Sequence, residues 1–180
     1  MLRSILALVL AAGCQLAIGQ DCIGVRGLAQ AMLPTDKPLH DIDGWGGPVY
    51  LTLDTGEVLV GIFSGQDGDA TWHSHVGVGK GGSYTFAFNG QGGGLYLDTF
   101  TTSVTNATYP IPKGHNEVGV YQGSHKIVSG TGRFINASGT ILVRGTWMVA
   151  GPLADLGITP FGFWNPDITG TICNVLPAAH

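Results

Sequence analysis

The chain has 180 residues, of which 11% are charged and 30 are glycine, and its formal net charge is −4. It has no basic stripe or basic helix to neutralise a row of phosphates, so nucleic acid and anionic membrane surfaces are not expected partners. Low charge combined with many glycines and threonines points to a β-protein whose surface meets water through hydroxyls and turns.

Arg3 precedes the apolar run 5–12, and a small-x-small site follows at Ala17-Ile18-Gly19. This order predicts an export signal over residues 1–19, with a mature chain that starts at Gln20 and, having lost Arg3, carries −5. The apolar run is too short to cross a bilayer, and nothing downstream reaches about eighteen uninterrupted apolar residues. A second reading of this segment is a lipoprotein cleavage site at Ala11-Ala12-Gly13-Cys14, which would leave the protein tethered through Cys14. Residues 20–180 suit one domain with a sizeable core.

Two cysteines remain after processing, Cys22 and Cys173, one near each end of the mature chain. In an oxidising compartment they allow one intramolecular pairing, and we expect that disulfide; the alternative is two unrelated buried thiols. In the chain-entropy model a loop of this length contributes about 4 to 5 kcal/mol. Asn106-Ala107-Thr108 and Asn136-Ala137-Ser138 fit the glycosylation triplet, which matters if the protein passes through a eukaryotic secretory pathway.

From Pro48 onward, short runs alternate with period two between Gly, Asn or Asp, which is the signal of strands and hairpins. The runs are 49–54, 58–63, 71–78, 84–88, 95–100, 118–122, 125–129, 140–149 and 168–173. Residues 21–45 read as irregular, with a short strand or turn near 25–32. Tight links are expected at Asp54-Thr55-Gly56-Glu57 and Gly65-Gln66-Asp67-Gly68, where glycine supplies positive φ. Sequential hairpins build a meander, and about eight strands close into an up-and-down barrel whose interior just holds side chains or one small ligand. A two-sheet β-sandwich shows the same periodicity and remains the alternative.

The segment 124–139, with Gly130-Thr131-Gly132-Arg133-Phe134 and then Ala137-Ser138-Gly139, resembles a recurring piece of the allene oxide cyclase and dirigent barrel superfamily. In that family a strand ends in such a turn and Ala-x-Gly opens the next one; a doubled glycine is usual where this chain has Ser129-Gly130. Glycines 130 and 132 permit the reversal, Phe134 can plug the barrel end, and Ala137 with Gly139 lets the next strand approach closely. The resemblance implies an all-β, calycin-like barrel that holds a reactive apolar intermediate and steers its cyclisation or coupling without a cofactor. Relatives are often oligomers. Because β-branched residues rather than a helix follow Gly130-x-Gly132, a phosphate-binding loop is not expected.

The candidate chemistry rests on residue types. If 71–78 is one strand, His73 and His75 share a face and Trp72 takes the other, so the two imidazoles can act on a ligand as acid, base or hydrogen-bond partner. No acidic residue follows to complete a metal site, so no metal is expected; the alternative is a solvent-facing segment. His115 and His125 are weaker candidates and read as surface residues. Arg144 interrupts the apolar run 141–147; on the inner face it would bind a carboxylate, phenolate or carbonyl oxygen, and on the outer face it would meet water. Asp98 and Tyr121 also sit inside apolar runs, and as inward neighbours they would form a proton-transfer pair. Tyr50, Trp72, Phe100, Trp147, Phe161 and Trp164 are expected to contact the substrate, the last group from a Pro- and Gly-rich loop at the barrel mouth, or else to cap the core. No nucleophile dyad is readable. The expectation is thus a secreted, cofactor-free cyclase or dirigent-like protein for a small apolar molecule, or a non-catalytic extracellular small-molecule-binding, carbohydrate-binding or structural module.

Overall fold

A computed structural model describes residues 21–32, 45–66, 70–73, 76–79, 82–89, 97–110, 117–150 and 161–177. Its strands are β1 (Cys22–Ala29), β2 (Ala31–Met32), β3 (Trp45–Leu53), β4 (Val58–Gln66), β5 (Ala70–His73), β6 (Val76–Gly79), β7 (Ser83–Phe88), β8 (Asp98–Pro110), β9 (Glu117–Gly130), β10 (Ser138–Ala150) and β11 (Phe161–Cys173). Neighbours pair antiparallel in the order β1, β3, β4, β7, β8, β9, β10, β11, and β11 pairs back onto β1. This closes an eight-stranded up-and-down barrel and excludes the sandwich. β2 continues β1 beyond Gln30, whose N–H donates to the Pro48 carbonyl.

Several elements differ from the sequence expectation. The run 71–78 is not one strand: β5 and β6 pair antiparallel with His73 opposite Val76, and His75 lies outside the described residues. The runs 118–122 and 125–129 merge into β9, and β8 continues through the threonine-rich stretch to Pro110, where β6 flanks it. The segment expected to be irregular supplies β1, a full barrel strand whose alternation is masked by Gly24 and Gly27. Phe161 and Trp164, expected in a mouth loop, belong to β11. Gly65 and Gln66 extend β4 rather than forming a turn, whereas the 54–57 turn is present with Gly56 at φ +87°.

Inward positions alternate along each strand and bury Val49, Leu51, Leu53, Phe63, Phe86, Ile141, Val143, Ile168 and their neighbours. Many of the glycines make room for rings. Gly61 lies opposite Phe88, Gly65 opposite Tyr84, Gly119 opposite Trp147 and Gly145 opposite Tyr121. A Cβ on Gly65 would sit 2.5 Å from Tyr84 Cδ1, and one on Gly61 would sit 2.8 Å from Phe88 Cδ1. A barrel this narrow holds large aromatics only where the facing wall is bare.

One end of the barrel is tied shut. Cys22 pairs with Cys173 in the β1–β11 ladder and is disulfide-bonded to it. A 3-10 turn at Gly132–Phe134, with Gly132 at φ +55°, drives the fully buried Phe134 between Phe88 and Phe100. Arg133 fastens the surrounding turns: its guanidinium pairs in bidentate fashion with Glu57 and donates to the Leu176 carbonyl, and its backbone N–H donates to Asp98 Oδ1 at 3.1 Å. Gly139, at φ +130°, lets β10 approach β11 so closely that a Cβ would lie 2.2 Å from the Thr171 carbonyl oxygen. The close strand approach and the plug expected from the 130–139 motif are both present.

Candidate functional site

A column of aromatic rings runs up the barrel from Phe134. Phe100 and Phe88 lie next to it, Phe86 stacks on Phe100 at 4.8 Å, and Phe63 follows Phe86 at 5.8 Å. Above Phe63 the column changes chemistry, because Tyr84, Trp164, Tyr121 and His125 take over. Thus hydrocarbon rings fill the closed end, and rings with heteroatoms stand towards the other.

The polar part of the column is a hydrogen-bonded chain. Tyr121 Oη and His125 Nε2 are 2.8 Å apart, His125 Nδ1 makes a longer 3.4 Å contact with Thr102 Oγ1, and Thr102 donates its hydroxyl proton to the Tyr84 carbonyl at 3.3 Å. Thr102 has one proton and gives it to Tyr84, so towards His125 it can only accept, which puts the imidazole proton on Nδ1. Nε2 is then an acceptor, and Tyr121 donates to it. His125 is 1% exposed. Desolvation by burial pushes its imidazole down to about 4, so it is neutral at pH 7 and fits this assignment. The chain holds the Tyr121 hydroxyl in one orientation beside the Trp164 ring, with centroids 4.9 Å apart.

The strand that builds this site carries it in a readable pattern. In Tyr121-Gln122-Gly123-Ser124-His125, positions 121, 123 and 125 face inward, and a Cβ on Gly123 would sit 2.5 Å from Tyr121 Oη. Gly123 therefore clears the path by which the tyrosine reaches a histidine four residues on. Period two could have revealed it, but the glycine reads as a break between two runs. Thr102 and Tyr84 come from other strands and carry no such signal.

The remaining sequence candidates fall in different places. Phe100, Trp147 and Trp164 are buried inward, and the two tryptophans face each other across β10–β11. Asp98 begins β8 at the closed end, where it accepts from Arg133; Tyr121 lies towards the other end, since Gln122 pairs with Thr108 while Gly130 pairs with Phe100. Asp98 and Tyr121 are therefore not neighbours. Arg144 points outward, opposite Asp167 and Gln122, and Tyr50 also lies on the outer wall, so neither has the inward placement expected of a substrate contact. His125, read as a surface residue, is in fact among the most buried polar groups. Asn106 and Asn136 are exposed. Trp72 and His73 lie on β5 and Phe161 on β11, with their side chains outside the described part; His75, His115 and residues 1–20 lie outside the described residues altogether.

Fold and site together define a closed antiparallel barrel with a graded aromatic interior and a buried Tyr-His-Thr chain. No protein-family model matches the sequence, and no curated protein matches it. Among solved structures, the chain is similar to the pterocarpan synthase dirigent protein GePTS1, at 14% identity and a TM-score of 0.37 over 93% of this chain and 96% of that one.

Proposed function

We propose that this chain is an exported, cofactor-free protein that takes a small apolar molecule at the tyrosine- and tryptophan-bearing end of its barrel and steers its cyclisation, cycloaddition or stereoselective coupling. The buried Tyr121–His125–Thr102 chain carries this reading: it places one oriented hydroxyl in an otherwise apolar, aromatic setting. Holding reacting centres in one geometry can lower a barrier by several kcal/mol, and a preoriented dipole needs no reorganisation when charge develops beside it. The Cys22–Cys173 disulfide supports an oxidising compartment and so the export signal over 1–19. The exposed Asn106 and Asn136 are the glycan acceptors in a eukaryotic source.

A second reading, a non-catalytic extracellular binding or structural module, is favoured by the phenylalanine column that occupies the closed end. Titrating the mature, disulfide-intact protein with N-phenyl-1-naphthylamine, a neutral apolar fluorophore, tests the binding site common to the cyclase and small-molecule-binding readings. Saturable one-to-one binding is expected, weakened about 2- to 10-fold by Tyr121→Phe, the worth of one hydrogen bond. Absent binding, or binding indifferent to Tyr121→Phe, would remove the proposed site.

A further inference from the structure

The outer wall of the barrel is divided between two chemistries. On β7 and β8 it is hydroxylic: Thr85 and Thr101 hydroxyls meet at 3.0 Å, those of Thr99 and Thr131 at 2.8 Å, and Thr105 donates to the Ser124 carbonyl. Elsewhere apolar side chains stand out: in a row across β9, β10, β11 and β2, where Val118, Met148, Phe163 and Met32 lie opposite one another, and in a patch on β1, β3 and β4 whose edge, unlike that row, carries an exposed pair of opposite charges. Leu28 lies directly opposite Tyr50 and Tyr50 opposite Val60, with Val58 and Ile62 one outward step to either side on β4. Their exposures are 53% for Leu28, 46% for Tyr50, 58% for Val58, 51% for Val60 and 41% for Ile62.

The geometry points to this face as the contact between two copies of the chain. Apolar residues scattered singly over a surface need no explanation, whereas five contiguous ones on three adjacent strands make a patch of several hundred Å². Two such patches face to face approach the roughly 1,200 Å² at which specific association begins. The charges at the edge identify the partner. Arg26 lies one outward step below Leu28 on β1, and Asp167 lies beside Leu28 on β11, where Arg144 is its other cross-strand neighbour. Both Arg26 and Asp167 are exposed. With strands about 4.8 Å apart and a rise of about 3.4 Å per residue, the line equidistant from Arg26 and Asp167 runs diagonally across the patch past Tyr50. A two-fold axis along that line stacks apolar face on apolar face and sets Arg26 of each copy against Asp167 of the partner subunit. A membrane-spanning barrel would need an apolar band around its whole circumference, which the hydroxylic wall interrupts. Tyr50 thereby has a role on the outer wall, in place of the substrate contact expected from the sequence.

Sedimentation velocity on the mature, disulfide-intact protein, from low to several hundred micromolar, tests this. A dimer is expected, with its Kd raised at least tenfold by Val60→Glu and by Leu28→Glu and unchanged by Ser103→Glu on the hydroxylic wall. All three side chains point outward, and matching circular dichroism and melting curves establish that each variant is folded. Arg26→Asp weakens the dimer, and adding Asp167→Arg restores it. A wild-type protein that stays monomeric overturns the proposal, as does a dimer indifferent to both patch variants or an exchange of charges that fails to restore. A monomer that binds phosphatidylcholine vesicles through this face also overturns it and assigns the face to a membrane.

Discussion

The two ends of the ring column solve opposite problems with the same fold. At the end tied by Cys22–Cys173, every described ring of the column is phenylalanine, and the polar groups Glu57 and Asp98 stand around the plug and pair with Arg133. At the other end the polar atoms, those of Tyr121, His125 and Thr102, are inside the barrel. Burying polar groups costs free energy unless each is hydrogen-bonded, so they belong where orientation matters more than stability. Stability and candidate chemistry are thus separated along the barrel axis: one end holds the chain together, and the other can keep an oriented, buried hydroxyl.

Phe134→Ala should have the largest effect and act on the closed end alone. Emptying the plug beneath Phe88 and Phe100 should lower unfolding free energy by about 4 kcal/mol in urea denaturation, yet leave fluorophore binding at the far end unchanged. A parallel loss of binding would mean that the two ends are not independent.

The next effect belongs to the polar end and appears with pH. His125 titrates at about 4 in the folded protein against 6.5 in the unfolded chain, so between these values the unfolded state binds more protons. Its contribution is fully present above about pH 6.5 and is lost as pH falls towards 4, by on the order of 3 kcal/mol in all. Unfolding free energies measured across this window should fall more steeply for wild type than for His125→Gln. Identical slopes would place the imidazole in contact with water.

The smallest change sharpens the contrast at the closed end. Glu57→Gln removes the charge facing the largely buried Arg133 guanidinium but keeps a hydrogen-bond acceptor, and should cost about 1 to 2 kcal/mol. If it costs nothing, Phe134 and the disulfide close this end without the ion pair.

Local features were legible in the sequence because they depend on neighbours along the chain. Period-two alternation revealed most strands, the 54–57 turn was visible through Gly56, and Gly132 with Phe134 marked the plugged turn. Cys22 and Cys173 were expected to pair, and they are disulfide-bonded. Glycine misled where it served space rather than conformation. Gly123 split β9 in two on paper, although it faces inward to admit Tyr121, and Gly65 suggested a turn where it accommodates Tyr84.

The inner face of each strand, and which strands share it, was decided only by tertiary structure. Alternation says that two faces differ, without saying which is enclosed; that follows from closure, when β11 pairs back onto β1 across nearly the whole chain. Closure put Arg144 and Tyr50 outside, put His125 inside, and brought Thr102 of β8 and the Tyr84 carbonyl of β7 to a histidine on β9. Such contacts join strands whose register is fixed by the barrel as a whole, and no local spacing in the sequence encodes them.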